Sequence, residues 1–136
     1  MNYDNLKLRT ARFALDIIKL SETLPKDPTT KILAAQLLRC GTSVGANYRA
    51  VCRAKSTADF ISKFGTVEEE ADESGYWLDL LVGAGKLDRK PAAPLIQEAN
   101  ELTAIAVSSI CTARKSGGRW RSAKRGMGNA ESGGTH

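Results

Sequence analysis

Histidine is almost missing from this chain: the only one is His136, the last residue. That removes the commonest general base and the commonest imidazole ligand from any folded interior. The three cysteines, Cys40, Cys52 and Cys111, are odd in number and no two are spaced as CxxC. Such a set argues against a zinc site, and reduced, packed thiols are the expectation. No apolar run approaches the roughly 18 residues needed to span a bilayer. Met1 to Thr10 lacks the apolar segment of a secretory signal. A cytoplasmic protein with no membrane association is therefore expected. Catalytic signatures are missing too. There is no GxSxG elbow and no Walker-type glycine loop, and "GAGK" at 83–86 is too short and follows a helical pattern rather than a strand. A serine or cysteine nucleophile would have no histidine beside it. Neither an enzyme nor a cofactor is expected.

What is present suits one small globular domain. The chain has 136 residues, 42% of them hydrophobic and only 6% aromatic, so a core of Leu, Ile, Val and Ala is implied. Net charge is +5, and it is unevenly placed. Residues 1–116 carry 16 Lys and Arg against 14 Asp and Glu; residues 117–136 carry four against one. The last segment, "GGRWRSAKRGMGNAESGGTH" after Ser116, has no apolar period and reads as a disordered basic tail. The domain proper is residues 1–116.

Within it, helical spacing dominates over strand alternation. A first helix is predicted from about Asn5 to Leu24, with Leu6, Phe13, Ile17, Leu20 and Leu24 on one face. "LPKDPT" breaks it, and Asp27 with Pro28 reads as an N-cap and first helical position. A second helix, about Pro28 to Ala54, would carry Ile32, Ala35, Leu38, Thr42, Gly45 and Arg49 on one stripe. Ala34, Leu37, Val44, Tyr48 and Val51 fall beside it. Ser56 to Asp59 has the form of a capping box opening a third helix, about Thr57 to Ala84, striped by Phe60, Phe64, Val67, Ala71, Leu78 and Leu81. A fourth runs from Pro91 or Pro94 to Lys115 on Leu95, Ala99, Leu102, Ala106 and Ala113. Short connections make neighbours antiparallel. The expected fold is all-α: an antiparallel up-down-up-down four-helix bundle.

Four constellations stand out. Gly41 and Gly45 share a helix face, where each costs roughly 1 kcal/mol of helix propensity relative to Ala. Close helix packing offsets that cost most simply; a kink or ligand groove is the alternative. Arg39, Ser43 and Asn47 are successive i,i+4 neighbours facing the acidic run of the third helix. A polar network of Arg39 or Asn47 with Glu69 or Glu73 is expected, against a plainly solvated face. Those carboxylates lack any histidine partner, so no metal is expected. Arg49, Arg53, Lys55 and Lys63 cluster near the turn between helices 2 and 3, beside Tyr48. Such a set can hold a phosphate backbone or be ordinary surface charge. Tyr76 and Trp77 read as bundle core or subunit contact before a ligand platform.

The run "LLRCGTSVGANYRA…RAKSTADFISKFGTVEEEADESGYWLDLL" resembles the ribosomal protein S23 family, also called rRNA intervening-sequence proteins. Its most specific elements here are Arg39, Ser43 and Asn47 with Arg53 downstream, then Asp59-Phe60 and Glu73. The chain reads "NYRAV" where the commoner form reads "NIAEG", so Ala50 and Val51 replace a Glu and a Gly. The resemblance implies an antiparallel bundle that assembles as a ring, a homopentamer. It also brings an analogy to a related pentameric bundle, the accessory variability determinant of diversity-generating retroelements, which binds nucleic acid and a reverse transcriptase. The expected function is thus a non-catalytic oligomeric bundle binding RNA or DNA through Arg9, Arg12, Arg49, Arg53 and Lys55. A protein-protein scaffold without nucleic acid is the alternative.

Overall fold

The computed structural model describes residues 3–117, with side chains from Asn5 onward. The segment expected to be a tail lies outside the described residues, apart from Gly117. Four helices and no strand are found among the described residues: α1 (Tyr3–Ser21), α2 (Pro28–Val51), α3 (Thr57–Gly83) and α4 (Arg89–Ser116).

The helix ends have local causes. α1 stops three residues earlier than its apolar pattern. There Ser21 Oγ donates to the Ile17 carbonyl and Thr23 Oγ1 to the Leu20 carbonyl, capturing carbonyls that the next turn would have bonded. Leu24 lies beyond the helix yet is buried, so the pattern read its burial correctly. α2 opens on Asp27, whose carboxylate accepts from the Thr30 N–H (3.2 Å) and the Thr30 hydroxyl (2.6 Å), with Pro28 at the start of the helix. Those Thr30 bonds, aided by Lys86, hold the Asp27 carboxyl down to about 2. α2 ends at Val51, not Ala54. The N–H groups of Arg53 and Ala54 bond three residues back in a tightened last turn.

Ser56 caps α3 by accepting from the Asp59 N–H at 3.0 Å, while Asp59 Oδ2 reaches back to the Lys55 N–H at 2.9 Å. This is the reciprocal pairing of a capping box, displaced one residue toward Lys55. α4 begins at Arg89, ahead of both prolines. Pro91 falls in the first turn, where a missing N–H costs nothing; Pro94 falls inside the helix and forgoes one bond.

Contacts fix the arrangement. α1 meets α2 at Ile17 with Gly41 and Thr10 with Gly45. α2 meets α3 at Cys40 with Ser74 and Tyr48 with Phe64. α3 meets α4 at Gly75 with Ala99 and Thr57 with Gly117. In each pair the residue numbers run in opposite order, so neighbouring helices are antiparallel. α1 and α4 touch far less than the other neighbours.

The core stripes of α3 and α4 are as expected, all buried. That of α2 is not. Ile32 is 65% exposed, and Ala35, Thr42 and Arg49 also face out. The buried face is Leu37, Cys40, Gly41, Val44, Tyr48 and Val51. The misreading has a cause: the two neighbouring stripes both keep the helical period, so spacing alone does not choose between them, although the Leu37 stripe is the more apolar. The large side chains choose. Tyr48 packs on Phe64 (5.8 Å between rings) and Phe64 on Phe60 (5.3 Å), and only the Leu37 face reaches them. Buried polar groups are satisfied locally: Thr10 Oγ1 donates to the Leu6 carbonyl and Ser74 Oγ to the Glu70 carbonyl.

Candidate functional site

The α1–α2 crossing answers why α2 carries glycines. A Cβ at Gly41 would sit 3.1 Å from both Ile17 Cγ1 and Ile17 Cγ2, and one at Gly45 would sit 3.1 Å from Thr10 Oγ1. The glycines are where α1 rests on α2, which is the packing reading. A groove also opens on the outer side of this crossing, lined by Ala11, Ala14, Gly45 and Ala46, with Lys7 and Arg49 at one end.

On its other flank α2 forms the polar network. Arg39 Nη2 donates to Glu73 Oε2 at 2.5 Å, and Arg39 Nη1 to Glu70 Oε1 at 3.2 Å. Trp77 Nε1 donates to the same Glu73 Oε2 at 2.9 Å. The Trp77 hydrogen bond, with Arg39 beside it, holds the Glu73 carboxyl below its usual range. The members differ from those expected. Glu70, not Glu69, pairs with Arg39; Glu69 points outward, one residue around the helix from the flank that faces α2. Asn47 does not reach an acid: its Nδ2 donates to the Ser43 carbonyl one turn back, at 2.9 Å. Ser43 therefore joins through its backbone. Trp77 was expected as bundle core or subunit contact, and its indole bond to Glu73 has no mark in the sequence beyond the i,i+4 spacing.

The proposed phosphate contacts divide. Arg9 is taken: Nε and Nη2 fork onto Glu98 at 3.0 and 2.6 Å, and Nη2 also reaches Glu101 at 3.1 Å. The Glu98 hydrogen bond raises its pKa further. A guanidinium so engaged is a clasp between α1 and α4, not an open phosphate contact. Arg12, Arg49, Arg53 and Lys55 are exposed, with no ion pair among the described residues, and Arg53 Nη1 donates to the Arg49 carbonyl. Lys63 is paired to Asp59 at 2.7 Å.

The fold adds what the sequence did not show. The antiparallel arrangement brings the start of α1, the end of α2, the start of α3 and the end of α4 together, as Thr57 Oγ1 bonding the Gly117 carbonyl attests. Arg114 and Lys115, exposed in the last turn of α4, thereby join Arg49, Arg53 and Lys55. Residues 3–12, 45–66 and 108–117, which make this end, hold nine Lys and Arg and two acids, Asp4 and Asp59; the rest of 3–117 holds seven Lys and Arg and twelve acids. The bundle is polarised along its axis. Only the up-down register could have revealed it from sequence.

Of the thiols, Cys40 and Cys52 are buried and Cys111 is exposed, so the expectation of packing fails for Cys111. Burial pushes the Cys40 thiol up. Among the described residues no three His, Cys, Asp or Glu are grouped to hold a metal ion, and no helix is long and apolar enough to cross a membrane.

The geometry defines a small all-α bundle with cations gathered at one end. A sequence model of the family described as 23S rRNA-intervening sequence protein matches residues 6–108, and this chain belongs to that family. A solved structure from Bacteroides thetaiotaomicron, a protein with unknown function from the S23 ribosomal protein family, is 33% identical. It covers 81% of this chain and 98% of its own, with a TM-score of 0.74. No curated protein matches.

Proposed function

We propose that this protein is a non-catalytic oligomeric bundle, a cytoplasmic homopentamer, that binds RNA or DNA at its basic end. The observation that carries the reading is the charge polarity: nine cations against two acids at one end of a bundle whose remainder is net acidic. Arg12, Arg49, Arg53 and Lys55 make the contact, joined by Arg114 and Lys115, while Arg9 stays in its clasp. Phosphate neutralisation by such a set gives affinity with little base readout. Four further cations, Arg119, Arg121, Lys124 and Arg125, follow in sequence from this same end. The family description, with its link to an intervening sequence in 23S rRNA, supports RNA as the first ligand to try.

The test is fluorescence anisotropy with a labelled RNA and a labelled DNA duplex across a salt series. Affinity should fall steeply with salt, and each of Arg53→Gln, Lys55→Gln and Lys115→Gln should reduce the log-log slope by roughly one. Arg9→Gln should leave the slope unchanged. No binding of either probe at low salt removes the reading. The scaffold alternative is favoured by one observation, the exposed Tyr76 on the acidic α3. A protein partner retained after nuclease treatment, with no affinity for either probe, would install it instead.

A further inference from the structure

Two surfaces lie outside the core, one of them adjoining the basic end at Lys7 and Arg49. One is the groove outside the α1–α2 crossing, of about 240 Å³, floored by Ala11, Ala14, Gly45 and Ala46. The other is the outer ridge of α3, where Glu69, Asp72, Tyr76 and Leu80 follow at spacings of three and four and so share a face. All four are exposed, Tyr76 at 55%. Tyr76 is held ready: its ring lies edge-on to Trp77 at 5.0 Å, and Trp77 is fixed through Glu73 to Arg39.

We propose that copies of this chain associate head to tail, the α3 ridge of one copy seated in the α1–α2 groove of the next. Charge chooses this partner. The groove lining holds Lys7 and Arg49 and no acid; the ridge holds Glu69 and Asp72 and no cation. Pairing the α1–α2 face with itself would set cations against cations, whereas setting it on α3 of a second copy matches opposite signs and steers the encounter. Shape agrees. A floor of small side chains accepts large ones, in the manner of a hole receiving a knob, and Tyr76 with Leu80 supplies them. The two surfaces differ, so the contact is heterologous, and repeating it closes a ring or runs on as a filament. This inference rests on the oligomeric part of the reading above and gives that assembly its surfaces.

The experiment uses nuclease-treated full-length protein in sedimentation velocity. Ala46→Arg fills the groove and Tyr76→Lys spoils the ridge; both positions are solvent-exposed, and far-UV circular dichroism confirms that each variant folds. Ala11→Arg serves as a second groove variant. Each alone should sediment as a monomer. An equimolar mixture of Ala46→Arg and Tyr76→Lys should form a one-to-one dimer and nothing larger, because one intact groove and one intact ridge remain. Wild-type mass in both single variants overturns the surface assignment while leaving oligomerisation standing. Monomers that stay monomers on mixing overturn the head-to-tail geometry. A wild-type protein that is monomeric throughout overturns the oligomeric reading itself.

Discussion

α2 has two seams, and they are built on opposite plans. Toward α1 it offers absence: Gly41 and Gly45 give up their side chains so that Ile17 and Thr10 can rest on the backbone. Toward α3 it offers bulk and charge: Tyr48 stacks into the Phe60–Phe64 cluster, and Arg39 reaches two carboxylates. The first seam is held by proximity, the second by filling and pairing. It follows that the α1–α2 seam is broken by adding atoms and the α2–α3 seam by removing them.

The largest effect should come from removal. Phe64 is fully buried and touches two aromatic rings, so Phe64→Ala should cost about 3–5 kcal/mol, read from urea unfolding. A cost below about 1 kcal/mol would mean that the aromatic cluster does not hold this seam. Addition on the other side is next. Gly41→Ala gains helix propensity but drives a methyl against Ile17, which is buried and, being β-branched in a helix, confined to essentially one rotamer. A net loss of about 1 kcal/mol is expected, since overpacking of about 1–3 kcal/mol exceeds the gain. Ile17→Val should relieve part of it, a coupling that a double-mutant cycle reads directly. Gly65 on α3 is the control: a Cβ there meets nothing within 4 Å, so Gly65→Ala should stabilise, by about 0.5–1 kcal/mol. If Gly41→Ala and Gly65→Ala shift stability in the same direction, the contrast between the seams collapses.

The contrast was only half visible beforehand. Composition and spacing place four helices, because Pro25, Pro28, Asp27 and Ser56 are local signals whose physics needs no tertiary context. The α3 and α4 stripes are legible for the same reason: one face of each helix is plainly more apolar. α2 is different. Both of its candidate stripes keep the helical period; the Leu37 stripe is the more apolar, and its Tyr48 is what meets a ring cluster contributed by another helix. The site follows the same rule. Arg39 with Glu73 could be foreseen from facing patterns of opposite charge. The exchange of Glu69 for Glu70 could not, because a difference of one residue turns a helix position by about 100°, which decides between facing α2 and facing solvent. Arg9 was misassigned because its partners lie about 90 residues away on α4. Arg114 and Lys115 were overlooked because only the assembled bundle brings them beside Arg53.

The smallest effect tests whether charge matters to the second seam at all. The indole N–H of Trp77 and the guanidinium of Arg39 both favour the ionised Glu73, and together they outweigh the partial burial that disfavours it. Its folded pKa therefore lies below the unfolded carboxylate value of roughly 4.3. The stabilisation it lends is complete above that unfolded value and is lost as pH falls through the folded one. No ion pair joins α1 to α2 among the described residues, so the glycine seam has no counterpart to this step. Trp77 is itself the reporter, once Trp120, the second of the two tryptophans, is replaced by Phe. Its fluorescence should titrate on acidification with a midpoint below that of an ordinary glutamate. Glu73→Gln should abolish the transition, because the amide still accepts from the indole but no longer changes charge. A transition that survives Glu73→Gln would assign the acid response to another carboxylate and leave Arg39 a surface pair of little consequence, as exposed pairs commonly are.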